Sequence, residues 1–414
     1  MTQTPSQPPA PTPQQATSQS QADLPTIRLK PKANAQAIRR GFPWVYANEA
    51  VIDRRTRALA AGTIARLEDG DRRFLGTVAV TPDSKIIARM LTPEVEERPD
   101  TAWFRARLQK AHDLRARMYP TPYYRLIHAE ADGLPGIIID RFGDTCVMQP
   151  NAAWAERLLE PLTEALAEVT GVTTILKNSA GRGRALEGLD DTNAVLLGAA
   201  PDGPLPVQMN GATYFADLTG GQKTGLYYDQ RANHAMAAGL AQGGKVLDVF
   251  SHVGGFGLSM LAGGADSALC VDGSAPALAL AQKGAEAMGA AARLDTRCGD
   301  AFETLSDLFG HTFDVVVCDP PAFAPSKTAL DAGLRAYEKV ARLAADLVAE
   351  DGYLVLCSCS HAADMASFRG ACLRGIGRAG RRAQLIHTGQ AGPDHPLLPQ
   401  LAESGYLKAL FFRL

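Results

Sequence analysis

The sequence predicts an α/β protein in which a Rossmann-like sheet follows two smaller modules. Residues 245–272 have the pattern of a buried strand, a glycine-rich turn, a small-residue helix, a second strand and a terminal acid, which is typical of a βαβ nucleotide site. Alternating helical and apolar segments continue to the C terminus and bring the sheet to about seven strands. Short apolar segments separated by turn residues precede residue 93 and predict a small β-barrel.

Charge is distributed unevenly along the chain. The 414 residues carry a formal net charge of −2. Residues 25–120 contain 19 Lys and Arg against 11 Asp and Glu, which gives +8 there and leaves −10 for the rest. A basic N-terminal part beside an acidic C-terminal part favours a polyanionic partner such as nucleic acid. An accidental surplus of basic residues on a solvated surface is the alternative.

Composition disfavours several classes of protein. The cysteines form no C-x-x-C pair and no Cys/His metal spacing, so neither disulfides nor a zinc site is expected. No apolar run is long enough to cross a bilayer. Residues 1–24 are rich in Gln, Pro, Ser, Thr and Ala and lack arginine, which predicts a disordered tail rather than a transit peptide. We therefore expect a cytoplasmic protein.

The first module is expected to span residues 25–92. Basic and aromatic residues interleave in the run RRGFPWVY, from Arg39 to Tyr46, a composition that suits phosphate contacts and base stacking with RNA. Arg39 and Arg40 are the candidate RNA-binding residues, whereas Trp44 can equally be a core residue. This module resembles a PUA domain, a small RNA-binding barrel.

A small α+β module is expected over residues 93–198. The pattern predicts a helix over 103–118, two strands around an Asp-Gly turn, and a helix over 155–170 that is broken or kinked at Pro161. The remaining residues, 199–414, are assigned to the Rossmann-like part.

Two signals introduce the Rossmann-like part. Asn210-Gly211 has the sequence of a two-residue hairpin turn. A polar segment, residues 222–231, then leads into a helix before the first strand of the sheet. Asp229 and Arg231 in that segment are candidate cofactor-binding residues.

The glycine-rich turn indicates the class of cofactor. Its spacing is D-x-F-x-x-x-G-G-F, from Asp248 through Phe250, Gly254 and Gly255, rather than the G-x-G-x-x-G of NAD enzymes. An acid inside the strand suits the cationic S-adenosylmethionine (AdoMet) better than a pyrophosphate, which prefers a helix N-terminus. Asp272, at the end of the second strand, can accept hydrogen bonds from both ribose hydroxyls. An ordinary glycine-rich turn without a ligand is the alternative.

Further polar residues follow the third and fourth strands. Asp300 ends the third strand, where its side chain can accept a hydrogen bond from an adenine amino group. Asp319 opens the run D-P-P-A-F after the fourth strand. Pro320 stiffens this loop so that it can grip the edge of a planar base, while Phe323 can stack on that base. A rigid connecting loop is the alternative.

Cys359 follows the fifth strand in the run Cys357-Ser358-Cys359-Ser360. Carbon 5 of cytosine accepts a methyl group only after a thiolate has added to carbon 6. A cytosine-5 methyltransferase therefore needs a cysteine at the edge of the sheet where the parallel strands end, called the catalytic rim below. Cys270 and Cys318 lie inside apolar strands and are interpreted as core residues. Cys359 is preferred to Cys357 because it alone lies clearly past the strand end.

These segments together resemble the bacterial large-subunit ribosomal RNA methyltransferase I family, the 23S rRNA 5-methylcytosine enzymes. The resemblance covers residues 25–414 and implies a PUA domain, a central α+β domain and a Rossmann-like class I methyltransferase. It also implies AdoMet as donor, cytosine in 23S rRNA as target, Cys359 as nucleophile and Asp319 near nitrogen 3 of the base. His395 is a candidate substrate-binding residue, with loop shaping as the alternative. The matching runs are RRGFPWVY, RLIHAEADGLPGIIIDRFGD, KTGLYYDQR, DVFSHVGGFG, DPPAF, CSCS and DHP.

The chain departs from the related enzymes at one step. Many RNA 5-methylcytosine enzymes have a second cysteine after the proline of the fourth-strand motif, whereas Pro321 and Ala322 follow Pro320 here. Product release must therefore use another base or water. An exocyclic-amine methyltransferase, such as one making N2-methylguanine, needs no cysteine and is one alternative. A PUA-based RNA-binding protein without catalysis is another, which the intact strand-end acids disfavour.

Overall fold

A computed structural model describes residues 24–220 and 225–414. Residues 1–23 of the tail predicted over 1–24, and residues 222–224 of the polar segment, lie outside this part of the chain, whereas Leu24 is described and buried. Within it, no helix is long and apolar enough to cross a membrane. The same residues contain no group of three or more His, Cys, Asp or Glu side chains that could hold a metal ion.

The N-terminal strands form the predicted small barrel. The sheet order is β1-β3-β4-β5-β2, and a bridge between Leu29 and Ala50 joins the chain after β1 to the chain after β2. The backbone N–H of Val51 donates to the Arg28 carbonyl at 2.8 Å beside this bridge. The elements are β1 (Thr26–Arg28), α1 (Ala35–Arg39), β2 (Trp44–Tyr46), α2 (Arg54–Arg57), β3 (Thr63–Glu68), β4 (Phe74–Val80) and β5 (Ile86–Pro93).

The next elements form a second five-stranded sheet, in the order β10-β9-β8-β7-β6. The helix predicted over 155–170 is two helices that meet at Leu158. Pro161 lies in the first turn of the second helix, where its missing N–H costs no helical hydrogen bond. The elements are α3 (Thr101–Met118), β6 (Tyr123–His128), β7 (Ile137–Phe142), β8 (Thr145–Pro150), α4 (Ala153–Arg157), α5 (Leu159–Thr170), β9 (Thr174–Lys177), α6 (Arg182–Leu186) and β10 (Ala194–Leu197).

A hairpin precedes the main sheet, as the Asn-Gly signal predicts. Strands β11 (Leu205–Met209) and β12 (Ala212–Ala216) pair in antiparallel fashion. Asn210 and Gly211 have φ values of +54° and +75°, which matches a turn with two left-handed central residues. Strand β12 packs on two helices of the main sheet, so the hairpin belongs with that part of the fold.

The main sheet has seven strands in the order β15-β14-β13-β16-β17-β19-β18. Neighbours from β15 to β17 pair in parallel, and β19 pairs antiparallel with both β17 and β18. Apolar clusters cover both faces of the sheet. The elements are α7 (Arg231–Leu240), β13 (Lys245–Val249), α8 (Gly255–Ala262), β14 (Ser267–Asp272), α9 (Ala275–Ala287), β15 (Leu294–Cys298), α10 (Ala301–Asp307), β16 (Phe313–Cys318), α11 (Leu330–Ala345), β17 (Val348–Ser358), α12 (Met365–Arg378), β18 (Gln384–Gly389) and β19 (Lys408–Arg413).

Two element boundaries differ from the sequence pattern. The helix expected over 330–350 ends at Ala345, and β17 begins at Val348 rather than at Tyr353. The pairing of β17 with β16 is irregular where Asp351 adopts a φ of +60°. A bulge of this kind carries polar residues through a strand, and so hides the strand from a periodicity argument.

Candidate active site

Asp248 anchors the turn that follows the first strand of the main sheet. It lies inside β13, and its Oδ2 accepts a hydrogen bond from the backbone N–H of Gly257 at 2.7 Å. Its Oδ1 is buried and has no hydrogen-bond partner among the described residues. Burial raises the pKa of Asp248 to about 7, against the effect of the Gly257 hydrogen bond. The turn therefore contains a buried acidic oxygen that can accept a hydrogen bond from a donor on a ligand.

Close contacts explain the glycines of this turn. A Cβ atom at Gly257 would lie 2.4 Å from the Sγ of Cys270, and one at Gly255 would lie 3.0 Å from Nε2 of His234. Gly254 has a φ of +79°, in the left-handed region that favours glycine. The sequence places glycine where the backbone passes closest to its neighbours, so α8 can pack tightly against β14 and α7.

Asp272 ends β14 and organises the same turn. Its Oδ2 accepts a hydrogen bond from the backbone N–H of His252, and its Oδ1 accepts one from that of Ser274, both at 2.8 Å. The side chain is half-buried. A carboxylate oxygen can accept more than one hydrogen bond, so both oxygens can still accept hydrogen bonds from ribose hydroxyls.

Asp300 lies one strand further along the rim, by which we mean the edge of the main sheet at the carboxyl ends of the parallel strands β13 to β17. It is exposed and caps α10, because its Oδ1 accepts hydrogen bonds from the N–H groups of Phe302 at 2.8 Å and Glu303 at 3.0 Å. The residues of the rim fit AdoMet: Asp248 has a buried oxygen without a partner among the described residues, the turn is rich in glycine, and Asp272 and Asp300 stand at two neighbouring strand ends. Asp248, Asp272 and Asp300 would hold the cofactor, which supplies a methyl group on a sulfonium when it is bound.

Asp319 lies directly after β16, beside the glycine-rich turn. Its backbone N–H donates to the Val249 carbonyl at 3.2 Å. Burial raises the pKa of Asp319 to about 8, the charges of Asp229 and Asp248 act in the same direction, and a hydrogen bond with Gln230 opposes them. The carboxyl group is therefore protonated at neutral pH and can donate a hydrogen bond.

A buried hydroxyl cluster ties the loop after β16 to the loop after β17. Ser358 Oγ donates to the Tyr337 hydroxyl at 2.8 Å, and that hydroxyl lies 2.7 Å from Ser360 Oγ. Ser360 Oγ also accepts a hydrogen bond from the backbone N–H of Ala324 at 2.9 Å. Cys359 lies between the two serines, so this cluster fixes the backbone on both sides of it.

Cys359 is more accessible to solvent than the buried cysteines in the strands of the main sheet. Cys359 is half-buried, whereas Cys270, Cys318 and Cys357 are buried. Burial raises the pKa of the Cys357 thiol well above its ordinary value, and Asp319 adds to this effect. A thiol of that kind is unreactive. The geometry therefore agrees with the preference for Cys359 over Cys357.

The last strand and the residues just before it add side chains that the sequence pattern did not single out. The Tyr406 hydroxyl donates to Asp229 Oδ2 at 2.6 Å. The Lys408 ammonium donates to the carbonyls of Ser360 at 2.9 Å and Tyr406 at 2.8 Å. These contacts depend on the antiparallel register of β19, which no local sequence signal indicates.

Tyr227 joins the two halves of the rim. Its ring centroid lies 5.2 Å from that of His252, in the cofactor turn. The sequence signal for it was its place in the run KTGLYYDQR. Burial, together with the nearby groups Asp229, Cys359, Asp319 and Asp272, raises the pKa of Tyr227 to about 12.

The contacts of Arg231 do not support its assignment to the cofactor. Its guanidinium donates to the Tyr123 carbonyl at 2.8 Å and lies over the ring of Tyr119, 4.0 Å from the centroid. Both partners belong to the central sheet and its leading helix, so Arg231 joins two parts of the fold. Asp229 accepts a hydrogen bond from the Tyr406 hydroxyl and lies near enough to Asp319 to raise the pKa of that carboxyl group.

His395 is better explained by loop shaping than by substrate binding. It is buried, and its Nδ1 lies 3.0 Å from Asp394 Oδ1. Asp394 in turn accepts hydrogen bonds from the backbone N–H of Arg125 and from the Tyr119 hydroxyl. The DHP run therefore fastens the loop before β19 to the central sheet.

Phe323 and Phe250 lie in one aromatic cluster between the cofactor turn and the D-P-P-A-F loop. Their ring centroids are 6.2 Å apart, and Phe323 lies 5.0 Å from Tyr337. Phe323 is half-buried, whereas Pro320 is buried. Phe323 can still present an edge to a base, but Pro320 shapes the loop from inside rather than contacting substrate.

The two arginines of the barrel differ in their surroundings. Both are exposed, and Arg39 also pairs with Asp69 at 2.5 Å. Trp44 is half-buried, and its indole N–H donates to Glu130 at 2.8 Å. Arg40 is therefore the better placed of the two arginines for a phosphate contact, and Trp44 joins the barrel to the central module.

Comparison with known protein families gives two matches, one to the N-terminal barrel and one to most of the remaining chain. Residues 27–93 match a model of a PUA-like domain, and residues 136–413 match a model of an S-adenosylmethionine-dependent methyltransferase. The ribosomal RNA large subunit methyltransferase I of Aeromonas salmonicida is 34% identical over 388 residues, which are 92% of this chain and 98% of the relative. The protein of the same name from Shewanella denitrificans is 34% identical over 94% of this chain and 99% of its own.

Solved structures share the fold. A Streptococcus mutans protein assigned as a SAM-dependent methyltransferase superposes with a TM-score of 0.79 at 20% identity, over 94% of this chain and all of its own. A second methyltransferase structure, solved as a complex with SAH, gives a TM-score of 0.80 at 20% identity over the same shares. The chain belongs to the S-adenosylmethionine-dependent methyltransferases and, within them, to the ribosomal RNA large subunit methyltransferase I family.

Proposed function

We propose that this protein transfers a methyl group from AdoMet to carbon 5 of a cytosine in 23S rRNA. The observation that supports this most is the position of Cys359, a half-buried thiol directly past β17, on the same rim as the protonated Asp319 past β16. The names of the relatives support ribosomal RNA as the substrate. The residues at the cofactor turn support AdoMet as the donor.

Cys359 acts as the nucleophile in this proposal. Its thiolate adds to carbon 6 of the cytosine, which places electron density on carbon 5. Carbon 5 then takes up the methyl group, for which the bound AdoMet is the donor. Water or another base then takes the proton from carbon 5, which restores the double bond and expels the thiolate from carbon 6.

Asp319 assists the addition by hydrogen bonding. A neutral carboxyl group can donate to nitrogen 3 of cytosine, which is an acceptor, and this draws electron density away from carbon 6 as the thiolate approaches. An ionised carboxylate would repel the same nitrogen. The raised pKa of Asp319 therefore suits its expected place at the base edge.

The RNA is expected to reach this rim along the N-terminal barrel. We propose functional units at residues 25–92, 93–198 and 199–414, with the first acting as the RNA-docking module. Arg40 is exposed there. Within the loop after β16, Phe323 is the candidate for a stacking contact with the target base.

An adduct experiment tests the nucleophile. With 5-fluorocytosine in a 23S rRNA fragment, the wild type should form a stable protein–RNA adduct, because fluorine does not leave as a proton does. Cys359→Ala should form no adduct and should lose methyl transfer, while its AdoMet affinity and thermal unfolding stay unchanged. Cys357→Ala is the matched control and should still form the adduct.

Other outcomes point to a different chemistry. Substantial methyl transfer by Cys359→Ala would contradict a covalent mechanism. Mass spectrometry of the rRNA nucleosides would then be expected to show an exocyclic amine, such as N2-methylguanine, as the product.

A further inference from the structure

The acidic composition of the rim creates a difficulty for a thiolate. Asp229 and Asp319 lie close enough to influence one another, and both act on the side chain of Tyr227 together with Cys359. Negative charge and burial each disfavour a thiolate. A nucleophilic Cys359 in such a site therefore needs a compensating positive charge.

Lys408 supplies a cation at this place. It is the first residue of β19 and pairs with Ser358, the last residue of β17. It is only 7% exposed. Its ammonium donates to the Ser360 carbonyl at 2.9 Å and to the Tyr406 carbonyl at 2.8 Å. The charge is thus held against the residue that directly follows Cys359.

The partners of this ammonium are neutral. Both groups that its hydrogen bonds reach are backbone carbonyls. A buried charge that contacts only carbonyls remains poorly compensated. Burial lowers the pKa of Lys408, and the opposing influences are Cys359 first and Asp364 second. Because the ammonium contacts the residue directly after Cys359, the thiolate of Cys359 is the anion placed to balance its charge.

We propose that Lys408 is a positioning residue for the nucleophile: its ammonium fixes the peptide after Cys359 and stabilises the thiolate form of that cysteine. This inference rests on the proposed function of Cys359. It concerns the free enzyme, so it requires neither RNA nor AdoMet to be bound. The other titratable or charged groups around the pair are Asp229, Asp319, Asp364, Tyr227, Tyr337, Tyr406 and His361.

The pH dependence of alkylation measures the effect directly. Iodoacetamide reacts with the thiolate, and peptide mass spectrometry follows the peptide containing Cys359. The experiment uses the full chain carrying Cys298→Ala, because Cys298 is exposed and would compete for the reagent. In this background the pH midpoint for Cys359 should lie below about 8.5, the ordinary value for a free thiol. A midpoint at or above that value would overturn the proposal without any change at Lys408.

Substitutions then assign the effect to the ammonium. Lys408→Met should raise the midpoint by about one pH unit and slow alkylation at pH 7 about tenfold. Lys408→Gln retains a donor without the charge and should show the same shift, while Lys408→Arg should keep the midpoint near that of the parent. Lys245→Met, at an exposed position, is the control for loss of a surface charge and should change nothing.

The two proposals fail in different ways. If the parent forms the 5-fluorocytosine adduct at Cys359 but folded Lys408→Met and Lys408→Gln keep the parental midpoint, the role of Lys408 is wrong and the proposed function stands. If no adduct forms with the parent, the proposed function itself is wrong. Far-ultraviolet circular dichroism identifies any variant that does not fold.

Discussion

Asp319 and Cys359 need opposite protonation states for the proposed reaction. Asp319 is half-buried, and desolvation together with the charges of Asp229 and Asp248 raises its pKa to about 8, which suits a proposed role as a donor rather than as a base. The thiol of Cys359 has the opposite requirement, because only its deprotonated form attacks. A site that works near neutral pH must therefore favour the proton on one group and its loss from the other.

The pH dependence of stability should reveal the proton on Asp319. Its pKa is higher in the folded than in the unfolded protein, so folding is favoured at low pH and this advantage is lost as pH rises from about 4 to about 8. Asp319→Asn is neutral throughout and should show a smaller fall in melting temperature between pH 5 and pH 8. The pKa of Asp248 is also raised, but Asp248 is present in both proteins. The difference between their two falls in melting temperature therefore reports on Asp319. Parallel melting curves for the two proteins would contradict the raised pKa.

The candidate site could be predicted in part from the sequence. Asp272, Asp300 and Asp319 each follow an apolar strand, and parallel strands bring their carboxyl ends to one edge, so their common rim was predictable. Arg231 lies in an equally suggestive motif, yet its guanidinium contacts the ring of Tyr119. That contact joins residues far apart in the chain, and no local pattern encodes it.

At the scale of elements, the hydroxyl of Ser360 joins the loop after β17 to the loop after β16, and the hydroxyl of Tyr337 holds it in place. Tyr337 projects from α11 and contacts both serines beside Cys359, while Ser360 holds the backbone of the D-P-P-A-F loop at Ala324. The loop expected to hold the base and the loop that carries the thiol therefore share one anchor. Small displacements of reacting groups are costly in rate, so this anchor should matter for catalysis more than for folding.

Tyr337→Phe tests whether the hydrogen bonds of the Tyr337 hydroxyl to Ser358 and Ser360 hold Cys359 in position. Loss of the hydroxyl removes two buried hydrogen bonds and should lower the free energy of unfolding by about 1–3 kcal/mol. Methyl transfer should slow by about tenfold or more through misplacement of Cys359, while AdoMet affinity, measured by calorimetry, stays unchanged. Tyr353 lies in β17, the strand that precedes Cys359. Tyr353→Phe is the control and should retain full activity. Equal rates for Tyr337→Phe and the wild type would show that the hydroxyl does not position the thiol.

The elements themselves were predicted unevenly. The helices and strands around the glycine turn follow the expected alternation because buried parallel strands are continuous apolar runs. Strand β17 was underestimated, since a bulge at Asp351 carries charged residues into it. The pairing of β19 with β17 was not predictable, because antiparallel register at a sheet edge depends on tertiary packing.

The whole molecule is joined by charged and polar contacts between its parts. Glu130 accepts hydrogen bonds from Trp44 and Arg89 of the barrel, and Arg89 also pairs with Glu187. On the other side, buried Arg115 donates to the Asp394 carbonyl in the loop before β19. Removing one part would leave these groups unpaired, so tests of RNA docking should retain the full chain.

Point substitutions on the barrel provide such a test. The exposed arginines Arg40, Arg54, Arg55 and Arg57 should release counterions when they contact RNA phosphates, and each true contact adds about 0.7–0.9 to the slope of log affinity against log salt concentration. Replacing all four with alanine should flatten that slope by about two or more, measured by fluorescence anisotropy with a 23S rRNA fragment. The matched control replaces the exposed Arg335, Arg369, Arg378 and Arg382 of the main sheet's helices and following turn. A flatter slope in the control, with an unaltered slope in the barrel variant, would place the RNA on the other surface.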